Sequence, residues 1–101
     1  VCPCSMATLG KIASGIGDDL ISRSADVILK ERKNLIIVPR ETPFSAIHLE
    51  NMLKLSRLGV AIVAPIPAFY NHPQTLDDVI NFIVSRILDQ LGINNSLTKR
   101  W

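Results

Sequence analysis

Two short runs, Leu35 to Val38 and Val60 to Ala64, hold nothing but apolar, largely β-branched side chains. A strand with one wet face alternates polar and apolar residues, so runs without alternation suit strands buried on both faces, as in a parallel sheet. A third short apolar run, Val1 to Cys4, opens the chain, and helical periodicity fills the intervals between the three. The order reads strand, helices, strand, helix, strand, helix. Parallel neighbours need long crossovers, so this alternation predicts an α/β fold on a parallel sheet with helices on its faces.

The helix signals are local. Thr8 to Gly15 suits a short helix, interrupted by Gly15 and Gly17. Asp18 or Asp19 can cap a second, running to about Arg32, with Ile21, Ala25, Ile28 and Leu29 on one face and Lys30, Arg32 and Lys33 at its end. A third is expected from about Ser45 to Leu58, with Leu49, Met52, Leu53 and Ser56 as its stripe and Gly59 as its stop. Thr75 caps the last, Asp78 completes a capping box, and Leu76, Val79, Ile80, Ile83, Ile87 and Leu91 give the clearest helical period before Gly92. Residues 1–92 form one domain on this reading, and 93–101 a polar tail.

Charge excludes some partners. Eleven Lys and Arg against nine Asp and Glu leave a net +2, scattered along the chain, so no nucleic-acid footprint is expected and any anion bound is small and local. No apolar run reaches the roughly 18 residues of a membrane span, and no signal peptide is visible, which points to a cytoplasmic protein away from membranes. Cys2 and Cys4 would alternate across a strand, and both are expected as buried free thiols in a reducing compartment. No His cluster stands near them to complete a metal site. The chain begins at Val1, inside a strand signal, which predicts a preceding segment outside this sequence.

In open parallel sheets, ligands bind beyond the carboxyl ends of the strands. That singles out Ser5 to Thr8, Arg40 to Thr42, and Ala68 to Tyr70. Ser5-Met6-Ala7-Thr8 sets two hydroxyls and backbone N–H groups at a helix start, fit for a phosphate or a polar ring edge, although simple capping by Ser5 explains the same residues. Arg40 offers a planar fork for phosphate or carboxylate beside Glu41, which can exchange a proton if burial raises its pKa; a structural ion pair between them is the other possibility. Tyr70 and Arg86 together suit a phosphate clamp, while Arg86 alone also suits a solvated helix position. His48 and His72 lack a nucleophile partner at a recognisable spacing and are assigned to surface or packing.

Several blocks resemble the flavin prenyltransferase family (UbiX- and Pad1-like proteins). They are Pro3-Cys4-Ser5-Met6-Ala7-Thr8-Leu9, Asp19 to Val27, Leu29-Lys30-Glu31-Arg32, Val38-Pro39-Arg40-Glu41-Thr42-Pro43, His48-Leu49 with Asn51-Met52-Leu53, Pro67-Ala68-Phe69-Tyr70, Pro73-Gln74-Thr75 and Arg86-Ile87-Leu88-Asp89. The resemblance covers about residues 1–92 and corresponds to the C-terminal half of that flavoprotein domain. It implies a three-layer, Rossmann-like (flavodoxin-like) parallel sheet with helices on both faces. It implies FMN bound by Ser5, Met6, Ala7, Thr8 and Arg40, dimethylallyl phosphate held by Lys30, Tyr70 and Arg86, and Glu41 as the catalytic proton carrier. The implied reaction joins the prenyl group to N5 and C6 of reduced FMN, releases phosphate and needs no metal. A UbiD-type decarboxylase would receive the product. The family assembles as a homo-oligomer, a dodecamer, with sites between subunits, so Lys30 is expected to serve a neighbouring copy.

Two departures matter. Many relatives carry Lys where this chain has Ala7, so backbone groups must serve the flavin there. The family's Gly-rich loop and Ser, in its N-terminal half, have no counterpart here. Two alternatives compete: a non-catalytic module that binds flavin or a partner, and a flavin-dependent cysteine decarboxylase. The second uses a Pro-Ala-Ser-Ala-Asn segment where this chain reads Pro-Cys-Ser-Met-Ala.

Overall fold

The computed structural model describes residues 1–98. Each helix starts where a side chain can take up amides left over in its first turn. Ser5, in extended backbone, accepts the Thr8 N–H at 3.1 Å and opens α1 (Met6–Ser14), two residues earlier than expected. Gly15, at φ 73, closes it, because only a residue without Cβ enters that left-handed conformation without penalty. Asp19 and Ser22 form a reciprocal capping box for α2 (Leu20–Lys30). Ser45 and His48 do the same for α3 (Ala46–Arg57), with Nδ1 of His48 accepting the Ser45 N–H at 3.1 Å. In α4 (Leu76–Gln90), Thr75 and Asp78 form the expected box, and Asp78 also accepts the Gln74 N–H at 2.8 Å.

Two of the three expected strands form a ladder. The first is β1 (Ile36–Ile37) and the second β2 (Ala61–Ile62), parallel, with Ile36 opposite Ala61 and Ile37 opposite Ile62. The third run, Val1 to Cys4, is hydrogen-bonded along the other side of β1 without becoming a regular strand. The Val38 N–H donates to Val1 O. In a regular parallel ladder Val38 O would then accept the N–H of residue 3. That residue is proline and has none, so the Cys4 N–H makes the bond instead, at 2.8 Å. The pairing slips by one residue, and Cys4 bridges Pro39. A parallel sheet with helical crossovers is therefore present, as its apolar runs predict.

The chain divides into two compact units, Val1–Ala64 and one that begins at Pro65. In the first, α1 packs against both α2 and α3, and α3 against β2. Its core gathers Cys4, Leu9, Ile37 and Leu55, all fully buried, with Met6, Ile12, Ala13, Ala25, Leu35 and Val60 around them. Three expected faces need correction. On α2, Ala25 is buried and Ile28 and Leu29 pack half-buried against the core as expected, but Ile21 is exposed and Ser22 is buried instead. On α3 the buried residue is Leu55, whereas Leu49 and Leu53 stand in solvent. In Val60 to Ala64 only Val60 is buried; the others are half-buried. Cys4 is buried but Cys2 is exposed, the opposite-faces arrangement without the expected burial of both.

In the second unit, the buried Ser85 hydroxyl bonds Asn95 at 2.8 Å, and the Asn95 amide donates to Asp89 at 3.2 Å. The described part of the expected tail is thus tied back to α4; residues 99–101 lie outside the described region. Among the described residues no helix is long and apolar enough to cross a membrane.

Candidate functional site

The carboxyl ends of the first two apolar runs meet. The Cys4–Pro39 bridge holds them side by side, and the Arg40 N–H donates to Cys4 O at 3.1 Å. The next residues on each side, Ser5 to Thr8 and Arg40 to Glu41, are therefore forced together. The decisive contact is between the Met6 N–H and Oε1 of Glu41, at 2.8 Å. Met6 is the first residue of α1, so its amide has no acceptor inside the helix. A carboxylate there also faces the positive end of the helix dipole. One Glu41 oxygen is committed to this amide; no described residue bonds the other.

Around this contact the Ser5 to Thr8 segment is arranged by its own hydrogen bonds. The Ser5 hydroxyl donates to Thr8 Oγ1 at 3.1 Å while accepting the Thr8 N–H. The Ala7 N–H, second in α1, has no partner among the described residues, and the Ala7 side chain is exposed. A helix terminus with an unused amide and an open surface fits the phosphate or ring edge of a flavin, through backbone rather than a lysine. Arg40 is exposed and forms no ion pair among the described residues, so the expected alternative of an Arg40–Glu41 ion pair is not what holds the loop. Its guanidinium is available to an anion. Burial pushes the Cys4 thiol up, and its Sγ donates to Ser5 O at 3.3 Å. A protonated, buried thiol beside the site is packing, not a nucleophile.

Lys30 lies elsewhere. It ends α2, and the chain then enters Leu35 and β1 at the amino end of the sheet. Glu41 follows the carboxyl end of the same strand. Leu35 to Arg40 is five extended steps, about 16 Å at roughly 3.3 Å per residue. Lys30 and Glu41 of one copy therefore stand at opposite ends of the sheet.

Tyr70 and Arg86 belong to the second unit. The Tyr70 ring meets Phe82 of α4 edge-on, with centroids 5.8 Å apart and planes at 87°. Arg86 is four residues beyond Phe82, one turn along the same helix face. Tyr70 and Arg86 are thus brought to one side of α4. Arg86 contacts Asp89 at only 3.5 Å and is half exposed, a surface pair too weak to keep the guanidinium from a phosphate. Among the described residues no three His, Cys, Asp or Glu side chains gather as a metal site would need.

A family model described as Flavoprotein matches residues 1–88. The chain belongs to the Flavoprotein family. It is 62% identical over 101 residues to a flavin prenyltransferase UbiX of Methanocaldococcus jannaschii, covering 55% of that protein. A crystal structure of a dodecameric FMN-dependent Ubix-like decarboxylase from Escherichia coli O157:H7 superposes with a TM-score of 0.93 at 57% identity, covering 98% of this chain and 54% of that one. The crystal structure of AnUbiX (PadA1) in complex with FMN and dimethylallyl pyrophosphate superposes with a TM-score of 0.94 at 52% identity, covering 98% of this chain and 53% of that one. The chain thus spans about half the length of these relatives. The flavodoxin-like α/β class is that of its structural neighbours.

For this flavoprotein the sequence pointed to the loops that follow the strands but not to the bond between them. Nothing in Arg40-Glu41-Thr42 reveals that Glu41 caps a helix 35 residues earlier. The available signal was the pairing of adjacent strands, which puts consecutive strand ends within reach of each other.

Proposed function

We propose that this flavoprotein is a flavin prenyltransferase that transfers a dimethylallyl group from dimethylallyl phosphate to reduced FMN. The contact between Glu41 and the Met6 amide carries the reading, because it seats a carboxylate against the segment suited to the flavin. Relatives named flavin prenyltransferase, 54–62% identical over the whole chain, support it. Reduced FMN supplies the nucleophilic ring on which the prenyl group is joined at N5 and C6.

The residues of this chain divide the remaining tasks. Ser5, Met6, Ala7, Thr8 and Arg40 bind the flavin, chiefly through the α1 terminus and one guanidinium. Tyr70 and Arg86 hold the donor's phosphate, and their hydrogen bonds strengthen as the allylic C–O bond breaks and charge gathers on the departing oxygens. Lys30 completes that phosphate site from a neighbouring copy, in keeping with its place at the far end of the sheet. Glu41 moves a proton through the oxygen not engaged by Met6. The protein works as a cytoplasmic homo-oligomer and passes its product to a UbiD-type decarboxylase.

The test is direct. Reduced FMN and dimethylallyl phosphate are incubated anaerobically with the protein, with dimethylallyl pyrophosphate in a parallel sample, and the flavin is weighed by mass spectrometry. A flavin heavier by one prenyl unit supports the reading. FMN bound but unaltered with both donors would leave a flavin-binding module in its place.

A further inference from the structure

The proposed function assigns Tyr70 and Arg86 to the donor's phosphate, and the inference here rests on that reading while naming what holds Tyr70 in place. Tyr70 and Asn71 are the central residues of a turn closed by the His72 N–H, which donates to Phe69 O at 3.0 Å. The turn lies in the stretch between β2 and α4, which contains no helix or strand. It ends at His72, whose φ of 56 is a left-handed conformation uncommon for a residue with a side chain. Backbone of that kind persists where the surrounding structure fixes it.

The residues after α4 supply two fastenings. The Asn71 amide donates to Thr98 Oγ1 at 3.2 Å, across 27 residues of sequence. Among the described residues that is the Asn71 side chain's one bond, since its buried Oδ1 has no partner there. Three residues before Thr98, Asn95 accepts the hydroxyl of the fully buried Ser85 at 2.8 Å and donates to Asp89 at 3.2 Å. Ser85 and Asp89 flank Arg86 on α4. From Ser85 back to Asp78 is about 10 Å along the helix, at roughly 1.5 Å per residue. From Asn95 to Thr98 is also about 10 Å, at roughly 3.3 Å per extended residue. The lengths agree, and Leu97 and Thr98 share a cleft of about 140 Å³ with Asn71, His72, Pro73 and Asp78. The segment therefore runs back along α4, drawn out, from the helical turn that carries Arg86 to the loop that carries Tyr70. The geometry points to Thr98 as a positioning residue that, through Asn71, sets Tyr70 beside Arg86 for the donor's phosphate. The edge contact with Phe82 fixes the Tyr70 ring, and the Thr98 bond fixes the backbone from which that ring hangs. A clamp ordered beforehand loses less freedom on binding and so binds more tightly.

Thr98→Val removes the hydroxyl and keeps the shape, whereas Thr98→Ser keeps the hydroxyl. Donor binding is read by titration calorimetry of dimethylallyl phosphate into protein loaded with oxidised FMN, and turnover by prenylation of reduced FMN. Thr98→Val is expected to raise both the donor's dissociation constant and its half-saturating concentration by about three- to tenfold, the factor carried by one neutral hydrogen bond. FMN affinity and the rate at saturating donor should not change, and Thr98→Ser should bind the donor as the unmodified protein does. In the Tyr70→Phe protein, Thr98→Val should add little, because it acts through the Tyr70 hydroxyl. Should Thr98→Val not fold, Asn71→Ala cuts the same bond from its other end and must weaken donor binding in the same direction. A folded Thr98→Val that binds the donor normally, or whose effect adds in full to that of Tyr70→Phe, overturns the positioning role and leaves the prenyltransferase reading intact. An unmodified protein that neither binds dimethylallyl phosphate nor transfers from it overturns that reading, and this inference with it.

Discussion

Glu41 has one observed contact and one proposed role, and different substitutions separate them. Glu41→Ala removes the acceptor of the Met6 amide, a 2.8 Å bond at a helix start in a half-buried setting. Loss of a helix-capping acceptor costs about 1–2 kcal/mol, and a hydrogen bond to a charged group lies in the same range. For a chain of this size, 1 kcal/mol moves the melting temperature by about 4–8 °C. Glu41→Gln keeps a carbonyl oxygen for the amide and sacrifices only the charge, so its loss should be a few tenths of a kcal/mol, in line with a helix-dipole contribution. Urea denaturation of the three proteins should rank them wild type, Gln, Ala. Turnover should not follow that ranking: Gln cannot carry the proton, so both variants should make no prenylated flavin while Gln still binds FMN. An Ala variant as stable as wild type would refute the capping argument, and a Gln variant with normal turnover would refute the catalytic one.

Leu55→Ala should cost about 2–5 kcal/mol in denaturant, since Leu55 is fully buried at the centre of the first unit's core and its removal leaves a cavity. Asp19 is held down to about 2 by the Ser22 backbone N–H, then by the Ser22 hydroxyl and Lys11. Its folded pKa lies below its unfolded value, so the α2 cap contributes stability at pH values above the ordinary carboxylate range and loses it as pH falls toward about 2. Asp19→Ala should therefore flatten the acid limb of a stability–pH curve while lowering stability at neutral pH. Tyr70→Phe and Arg86→Lys should each raise the donor concentration needed for half-maximal prenylation while leaving FMN affinity unchanged in a flavin titration.

What could be read from the sequence divides along a physical line. Helix starts were legible because capping is local: Asp19, Ser45 and Thr75 sit where their hydroxyl or carboxyl must be, and their partners lie three residues on. Strand positions were legible because a buried parallel strand has no polar residue to place. The faces of α2 and α3 were only partly legible. Leu49 and Ile21 are as apolar as Leu55, and apolarity states only that a residue can be buried, not against what. The slip at Pro3 was hidden too, because it depends on which neighbour the missing N–H would have faced. At the site, residue types were legible from their position after strand ends, whereas the Met6–Glu41 bond required two segments 35 residues apart to be aligned.

The same geometry explains why one copy does not suffice for the proposed chemistry. A crossover helix starts near the carboxyl end of one strand and delivers the chain to the amino end of the next. A residue at the start of such a crossover, like Ser5, lies with Glu41, and a residue at its end, like Lys30, cannot. A cation at the end of α2 can assist a phosphate near Glu41 only if it belongs to another molecule whose sheet is turned the other way.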